Sequence, residues 1–256
     1  MIKINDSERI QLRKLCSSRK DDNLLQWFLK GNPYCAAWVD NVKQPEEAIV
    51  LAADFCYLLG TVRHLDEIEQ ILEDNARHKI IIPCGTHWDT YLYEYLYKKV
   101  HRYSRYAIKH EPDSFDKSNL EQLIKEINPV YEIKQIDEEI YKEVLGIDWA
   151  ADGCCFFRSY EDFKKNGLGY VVLKAGQLVC IASSYTAYQN TIGVTIGTLE
   201  EYRRQGLAAA CAATLILECQ ERDIYPEWEA SNMNSVALAE KLGYHFDHAY
   251  DVYSIL

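Results

Sequence analysis

One stretch, residues 196–209, constrains the fold of this 256-residue chain more than any other. It reads Ile-Gly-Thr-Leu-Glu-Glu-Tyr-Arg-Arg-Gln-Gly-Leu-Ala-Ala. The pattern predicts a strand, a turn of small and charged residues, and a long Ala/Leu-rich helix over about 204–222. The N-terminus of such a helix offers free backbone N–H groups and the positive end of the helix dipole. The stretch therefore predicts an α/β unit that binds a pyrophosphate at the turn.

Small and basic side chains in the turn favour the same ligand. Gly206 and Ala208 leave room for the backbone to approach phosphate groups closely, and Arg203 and Arg204 add positive charge beside the turn. The spacing fits neither the Walker A motif nor the GxGxxG motif of dinucleotide-binding folds. The sequence thus indicates a pyrophosphate site outside the P-loop and Rossmann classes.

A second block follows at residues 232–244, with the pattern Asn232-x-x-Ser235-x-x-Leu238-x-x-Lys241-Leu242-Gly243-Tyr244. Taken with Arg203-x-x-Gly206-x-Ala208, it resembles the GNAT N-acetyltransferase superfamily. The turn of that family reads Gln/Arg-x-x-Gly-x-Gly/Ala, and its downstream motif ends in Gly-Phe or Gly-Tyr. The resemblance covers about residues 131–256, and the first half of the chain carries no such motif.

The resemblance implies acetyl-CoA as co-substrate and assigns residues to it. The backbone of Ile196, Gly197 and Thr198 is expected to pair with the pantetheine arm, since an exposed strand edge can accept an extended partner. Asn232 is expected to reach the cofactor as well, unless it is a plain turn or N-cap asparagine. The pyrophosphate is assigned to the turn residues Arg203, Arg204, Gln205, Gly206, Leu207, Ala208 and Ala209.

The resemblance also implies direct attack of an amine on the acetyl group in a ternary complex. Some relatives carry a glutamate general base five residues before the position of Asn232, which here is Glu227. Residues 225–230 are predicted to form one strand, and alternation along it puts Glu229 on the same face as Glu227, so Glu229 is a rival. Either glutamate could instead be a solvated strand carboxylate. A backbone N–H near Thr198 is expected to stabilise the developing oxyanion.

One position departs from the family pattern. Many relatives have a tyrosine, acting as general acid, seven residues after the position of Asn232, whereas this chain has Ala239. Tyr244, Tyr250, Tyr185 or a water could substitute, and the sequence does not choose among them.

The chain is predicted to form two lobes with a boundary near Pro129. Residues 118–121 form a capping box that opens a helix, and Asn128-Pro129 should end it. Residues 1–130 are then an N-terminal α/β lobe and residues 131–256 a GNAT acetyltransferase domain. The expected fold class is α/β, with a mixed twisted sheet and helices on both faces. The two halves show a similar order of elements, which indicates either a degenerate tandem duplication or two unrelated small units.

Composition narrows the partners and the compartment. A formal net charge of -11 argues against nucleic acid, which needs clustered Lys and Arg. No run of about 18 apolar residues and no apolar leader are found, so no membrane association is expected. Nine cysteines without metal spacing read as reduced, mostly buried thiols in the cytoplasm, and no metal is expected.

These features predict an acetyl-CoA-dependent N-acetyltransferase acting on a small-molecule or peptide amine. Ala239 leaves open a non-catalytic acyl-CoA-binding or sensing protein. A module whose first lobe binds a partner, without CoA affinity, is a further alternative. The acceptor and the oligomeric state do not follow from the sequence.

Overall fold

The computed structural model describes residues 1–20, 22–94 and 96–256, and the chain forms two compact units. The first unit comprises Met1–Arg105 and Tyr250–Leu256, and the second comprises Tyr106–Ala249. Two strands, β6 (Val100–Ile108) and β13 (Phe246–Ile255), contribute residues to both units. Among the described residues, no helix is both long and apolar enough to cross a bilayer.

The first unit is a mixed α/β fold. Strands β1 to β4 are consecutive antiparallel neighbours, and β5 lies parallel to β4. Tyr253 of β13 pairs with Ile81 of β5. The strands and helices are β1 (Ile2–Lys3), α1 (Asn23–Leu29), β2 (Cys35–Val39), β3 (Glu47–Ala52), β4 (Phe55–Gly60), α2 (Leu65–Asn75), β5 (Ile80–Cys84) and α3 (Thr86–Glu94).

The second unit contains a five-stranded sheet in the order β11-β10-β9-β8-β7. All neighbours are antiparallel except β10 and β11, which are parallel. Its elements are α4 (Lys117–Lys125), β7 (Tyr131–Gln135), α5 (Glu138–Leu145), α6 (Tyr160–Asn166), β8 (Gly169–Lys174), β9 (Gln177–Tyr188), β10 (Thr191–Thr198), α7 (Leu207–Glu221), β11 (Tyr225–Glu227), β12 (Glu229–Ala230) and α8 (Met233–Leu242).

Helices cover both faces of this sheet. Adjacent residues of a strand point to opposite faces of the sheet, so side chains of β9 belong to two apolar clusters. Cys180 and Ala182 join the cluster that contains Cys211 and Leu215 of α7. Ile181 joins the cluster formed with α5 and α6. The predicted mixed α/β class with helices on both faces is confirmed.

The same order of elements occurs twice. An antiparallel meander ends in β4 in the first unit and in β10 in the second. Each of these strands is followed by a helix, α2 or α7, and by a strand parallel to it, β5 or β11. A parallel neighbour reached through a crossover helix is a specific arrangement. Its recurrence supports the duplication hypothesis.

The division between the units falls between residues 105 and 106, whereas the sequence predicted a boundary at 130. The intervening helix, α4, carries Leu120 and Leu123, which are buried in the cluster that contains α7. The predicted boundary therefore lies inside the second unit. The helix is capped by Asp116, whose carboxylate accepts from the Ser118 N–H, and not by Ser118 as predicted.

One other element differs from its prediction. The strand expected over residues 225–230 is interrupted at Trp228, because β11 pairs with β10 and β12 pairs with β6. The prediction that the cysteines are mostly buried is confirmed, because all of the nine except Cys84 and Cys155 are buried.

Gly60, at the end of β4, offers a test of the first unit. Its φ is +77°, and a Cβ added there would lie 2.0 Å from the backbone oxygen of Glu46. Because a backbone carbonyl cannot move aside cheaply, Gly60→Ala should destabilise this unit by about 3 kcal/mol. Gly31→Ala is the matched control, since Gly31 has a φ of +82° with open space around it. It should cost only about 1–2 kcal/mol. Equal urea midpoints for the two variants would contradict this account.

Candidate acyl-transfer site

The second unit contains a fork between two parallel strands. Pairing between β10 and β11 joins Thr191 to Tyr225, Ile192 to Pro226 and Gly193 to Glu227. The chain then leaves β10, and Glu229 and Ala230 of β12 pair with Ala107 and Tyr106 of β6. In the described part of the chain, residues 194–198 pair with β9 alone. Their other edge presents backbone groups that an extended ligand can use.

Helix α7 begins at the far end of β10. Its N-cap is Gly206, with φ +80°, and a Cβ added there would meet nothing within 4 Å. The cap residues of several other helices use their own side chains to accept a backbone N–H, namely Asp22, Asp116, Asp137, Ser159 and Asn232. Gly206 has no side chain for this purpose, and in the described part of the chain no side chain caps the first turn of α7. This end of α7 is suited to an external anion.

The turn before α7 is held by local contacts. Arg203 donates from Nε to the carbonyl oxygen of Thr198 at 3.2 Å. Arg204 is in the left-handed region at φ +60° and is exposed. Gln205 accepts from the Tyr131 hydroxyl at 2.5 Å. The structure thus brings the predicted residues 203–209 together with the end of β10.

One basic residue beside this turn was missed by the sequence analysis. Lys174, at the end of β8, places Nζ 5.0 Å from the ring centre of Tyr202 and 5.8 Å from that of Tyr131. Both rings flank the turn, so Lys174 adds positive charge to it. No local motif marks this lysine, because it comes to the turn only through the pairing of β7 with β8.

The two candidate glutamates lie on different sides of the fork. Glu227 pairs with Gly193 of β10, whereas Glu229 pairs with Ala107 of β6. Both are half-buried. Glu227 is therefore the carboxylate that borders the open edge of β10. Alternation alone could not separate these two residues.

Asn232 and Tyr244 have structural contacts of their own. The Asn232 side-chain oxygen accepts from the Ser235 N–H at 3.0 Å and so caps α8. Tyr244 is buried, and its hydroxyl donates to the Pro226 carbonyl at 2.7 Å. Burial, reinforced by nearby Tyr225, Cys219 and Glu227, raises the pKa of Tyr244 well above its ordinary value. Tyr244 is thus a poor proton donor for a ligand, and Ala239 is fully buried.

Comparison with known proteins decides which family has this arrangement. A family model described as GNAT acetyltransferase matches residues 14–253. The chain belongs to the GNAT acetyltransferase family. The uncharacterized N-acetyltransferase YdfB of Bacillus subtilis (strain 168) is 33% identical over 187 residues, which cover 72% of this chain and 69% of that protein.

Solved GNAT structures agree with the fold. A GCN5-related N-acetyltransferase-like protein from Streptococcus suis 89/1591 has a TM-score of 0.86 and 32% identity, over 98% of this chain and 99% of that one. A tandem GNAT protein from the clavulanic acid biosynthesis pathway has a TM-score of 0.52 and 12% identity, over 99% and 97% of the two chains. The second likeness shows the fold alone.

The extent of the resemblance needs correction. The sequence placed it in residues 131–256, but the GNAT model begins at residue 14 and includes most of the first unit. The sequence of the first unit does not show that it belongs to the family, because the turn before α2 lacks the glycine motif. There, the fully buried carboxylate of Glu47 accepts from the Arg63 N–H at 2.6 Å and lies 2.5 Å from Nδ1 of His64, the N-cap of α2. A carboxylate of the chain thus lies where the second unit leaves space for an anion.

Proposed function

We propose that the protein transfers an acetyl group from acetyl-CoA to an amine acceptor, at the fork of the second unit. The observation that supports the proposal is that the open edge of β10 leads directly to the start of α7. Its open edge begins at the fork beside Glu227 and ends at the uncapped N-terminus of α7. Residues 194–198 span roughly 13 Å at 3.3 Å per residue, so an extended arm held at the turn would reach the fork.

The residues of the turn and the strand edge suit CoA. The N–H groups of Leu207, Ala208 and Ala209 and the helix dipole would hold the pyrophosphate, with Arg204 and Lys174 adding charge. The backbone of Ile196, Gly197 and Thr198 would pair with the pantetheine arm. The Asn232 oxygen caps α8 and its Nδ2 donates to the Ser231 hydroxyl at 3.1 Å, so one Nδ2 hydrogen is left for the cofactor.

Bound acetyl-CoA supplies an activated acetyl thioester, and the protein supplies the base. Amines such as lysine are mostly protonated at neutral pH, so a proton must leave before or during attack. Glu227, at the fork, would take it directly or through a water. Cys180, which pairs with Thr198, is fully buried and so cannot attack an acetyl group on the open edge. Burial of this thiol favours direct attack by the amine in a ternary complex.

Two predictions about the site conflict with each other, namely Glu227 as the base and an oxyanion donor near Thr198. Thr198 lies five residues along β10 from Gly193, the partner of Glu227, which is roughly 16 Å. A backbone N–H near Thr198 cannot stabilise an oxyanion while Glu227 deprotonates the attacking amine. With Glu227 as base, the oxyanion donor must be a β10 N–H beside the fork. Tyr244 is buried, whereas Tyr185 is half-buried and lies at a β-bulge of β9, between Thr186 opposite Gly193 and Ser184 opposite Val194. Tyr185 or a water is therefore the proposed acid.

A screen for acetyl transfer tests the proposal. Acetyl-CoA would be offered with monoamines, polyamines, aminoglycosides, amino acids and peptides, with thiol release and acetylated product both measured. Acetylation of at least one acceptor class is expected. Tight CoA binding without any acetylated product would favour a non-catalytic acyl-CoA-binding or sensing protein instead. Absence of CoA binding would leave a partner-binding role for the first unit.

The buried carboxylate of Glu47 gives a prediction about stoichiometry. Because Glu47 already accepts from the backbone before α2, the first unit should not bind a second CoA. Calorimetric titration of the full chain should therefore give one CoA per chain. Gly206→Ala in the second unit is the companion variant, and it should weaken this single event without revealing another. Two binding events per chain would contradict the assignment.

A further inference from the structure

Strand β7 is the outer strand of the five-stranded sheet. Within the part of the chain that the structure describes, β7 pairs with β8 on one side and with no strand on the other. In an antiparallel pair, every second residue turns its N–H and C=O toward the neighbouring strand. The Ile136 N–H donates to the Gly169 carbonyl oxygen at 3.0 Å, so Lys134, two residues earlier, also faces β8. The N–H and C=O groups of Ile133 and Gln135 therefore point to the open edge.

The side chains of β7 divide between the two faces of the sheet. Tyr131 and Ile133 are half-buried and pack against the apolar cluster that contains α7. Glu132 and Lys134 lie on the opposite face and are exposed. Lys134 Nζ lies 3.0 Å from the Asp137 carboxylate, which uses one of its three donors. The edge thus carries a negative and a positive side chain two residues apart on one face.

An edge with this pattern is complementary to itself. Two copies of β7 that run antiparallel about a two-fold axis at Ile133 place Glu132 of each copy opposite Lys134 of the other. The same register pairs Ile133 with Ile133 and sets the Gln135 N–H against the Tyr131 carbonyl, so groups that point to the open edge meet each other. The next registers that keep this bonding are shifted by two residues. They would set Glu132 against Glu132 or Lys134 against Lys134, which like-charge repulsion disfavours.

We propose that the open edge of β7 is a homodimer interface, at which two copies of the chain join their sheets in the register centred on Ile133. The occupant is a second copy because both the main-chain bonding and the charges of this edge match those of the same edge turned by a two-fold axis. A strand of five residues buries little surface, so the dimer is weak and forms with rising concentration. The inference is independent of acetyl transfer, since β7 lies at the edge of the sheet opposite β11 and the fork.

Sedimentation equilibrium of the full chain tests the interface through charge swaps. The average mass of the wild type should rise from one chain toward two over about 1–500 µM, the range of weak interfaces. Glu132→Lys and Lys134→Glu should each raise the dissociation constant by about tenfold or more, because each variant sets like charges opposite each other twice. The double variant Glu132→Lys/Lys134→Glu restores opposite charges, so its dissociation constant should return to within about threefold of the wild type.

Lys142→Glu is the matched control for the charge variants. Lys142 is also exposed and lies 2.6 Å from a carboxylate, that of Glu138, but it belongs to α5 and not to β7. It changes the net charge as Lys134→Glu does and should leave the dissociation constant unchanged. Thermal melting checks that each variant keeps its fold.

Ile133→Pro tests the main-chain bonds separately. It removes an N–H that points away from β8, so the pairing of β7 with β8 keeps its bonds while the dimer is lost. A wild-type chain that stays monomeric at the highest concentration would overturn the inference. So would a dimer that the single charge variants leave unchanged, or a double variant that does not regain dimerisation.

Discussion

Gly206→Glu should lower the affinity for CoA by roughly 100-fold or more while the second unit stays folded. The variant places a side chain and a negative charge at the N-terminus of α7, where the pyrophosphate is proposed to bind. Loss of two charge-assisted hydrogen bonds would account for a change of this size. Calorimetric titration with CoA measures the effect, and circular dichroism reports the fold.

Gly206→Ala separates charge from backbone strain. Gly206 has a φ of +80°, so any side chain costs about 1–2 kcal/mol of stability at this position. Because space around the position is open, alanine should lower CoA affinity by less than about tenfold. Unchanged affinity in a folded Gly206→Glu protein would show that the pyrophosphate binds elsewhere.

Glu227→Gln should reduce turnover by roughly 10²–10⁴-fold with little change in CoA binding. The substitution keeps the shape of the side chain and removes the base. Stopped-flow or steady-state thiol release with an accepted amine measures kcat, and calorimetry measures CoA affinity. The acidic limb of the pH–rate profile should disappear in the variant, since it reports protonation of the base.

Glu229→Gln is the matched control, because Glu229 is also half-buried but pairs with β6 rather than β10. It should retain turnover within about threefold of the wild type. A large loss in Glu229→Gln, with near wild-type turnover in Glu227→Gln, would place the base on the other side of the fork.

The turn at residues 203–209 could be predicted because its determinants are local. Gly206 adopts a φ of +80°, which favours glycine, and the residues after it are strong helix formers. Asp137 and Ser159 are equally local signals, because both are typical N-cap residues and each accepts the N–H three residues further on. Residue type and short-range spacing determine this turn and these helix caps, so they can be predicted without knowing which strands pair.

The fork could not be predicted, because it depends on which strands pair. Residues 225–230 read as one continuous strand, and nothing local shows that the strand changes partner at Trp228. The bulge at Tyr185 and the approach of Lys174 to the turn likewise follow from sheet register. The first unit was not recognised from its sequence, because the turn before α2 lacks the glycine motif. In that turn the buried carboxylate of Glu47, rather than an external anion, accepts from the backbone.

Amide hydrogen exchange of the full chain, with and without CoA, tests the central claim most directly. The account predicts that CoA slows exchange at residues 194–198, on the open edge of β10, and at residues 207–209, at the start of α7. It predicts no change at residues 60–65, where Glu47 fills the corresponding turn of the first unit. Slowed exchange at residues 60–65 without any effect at 194–198 and 207–209 would contradict it.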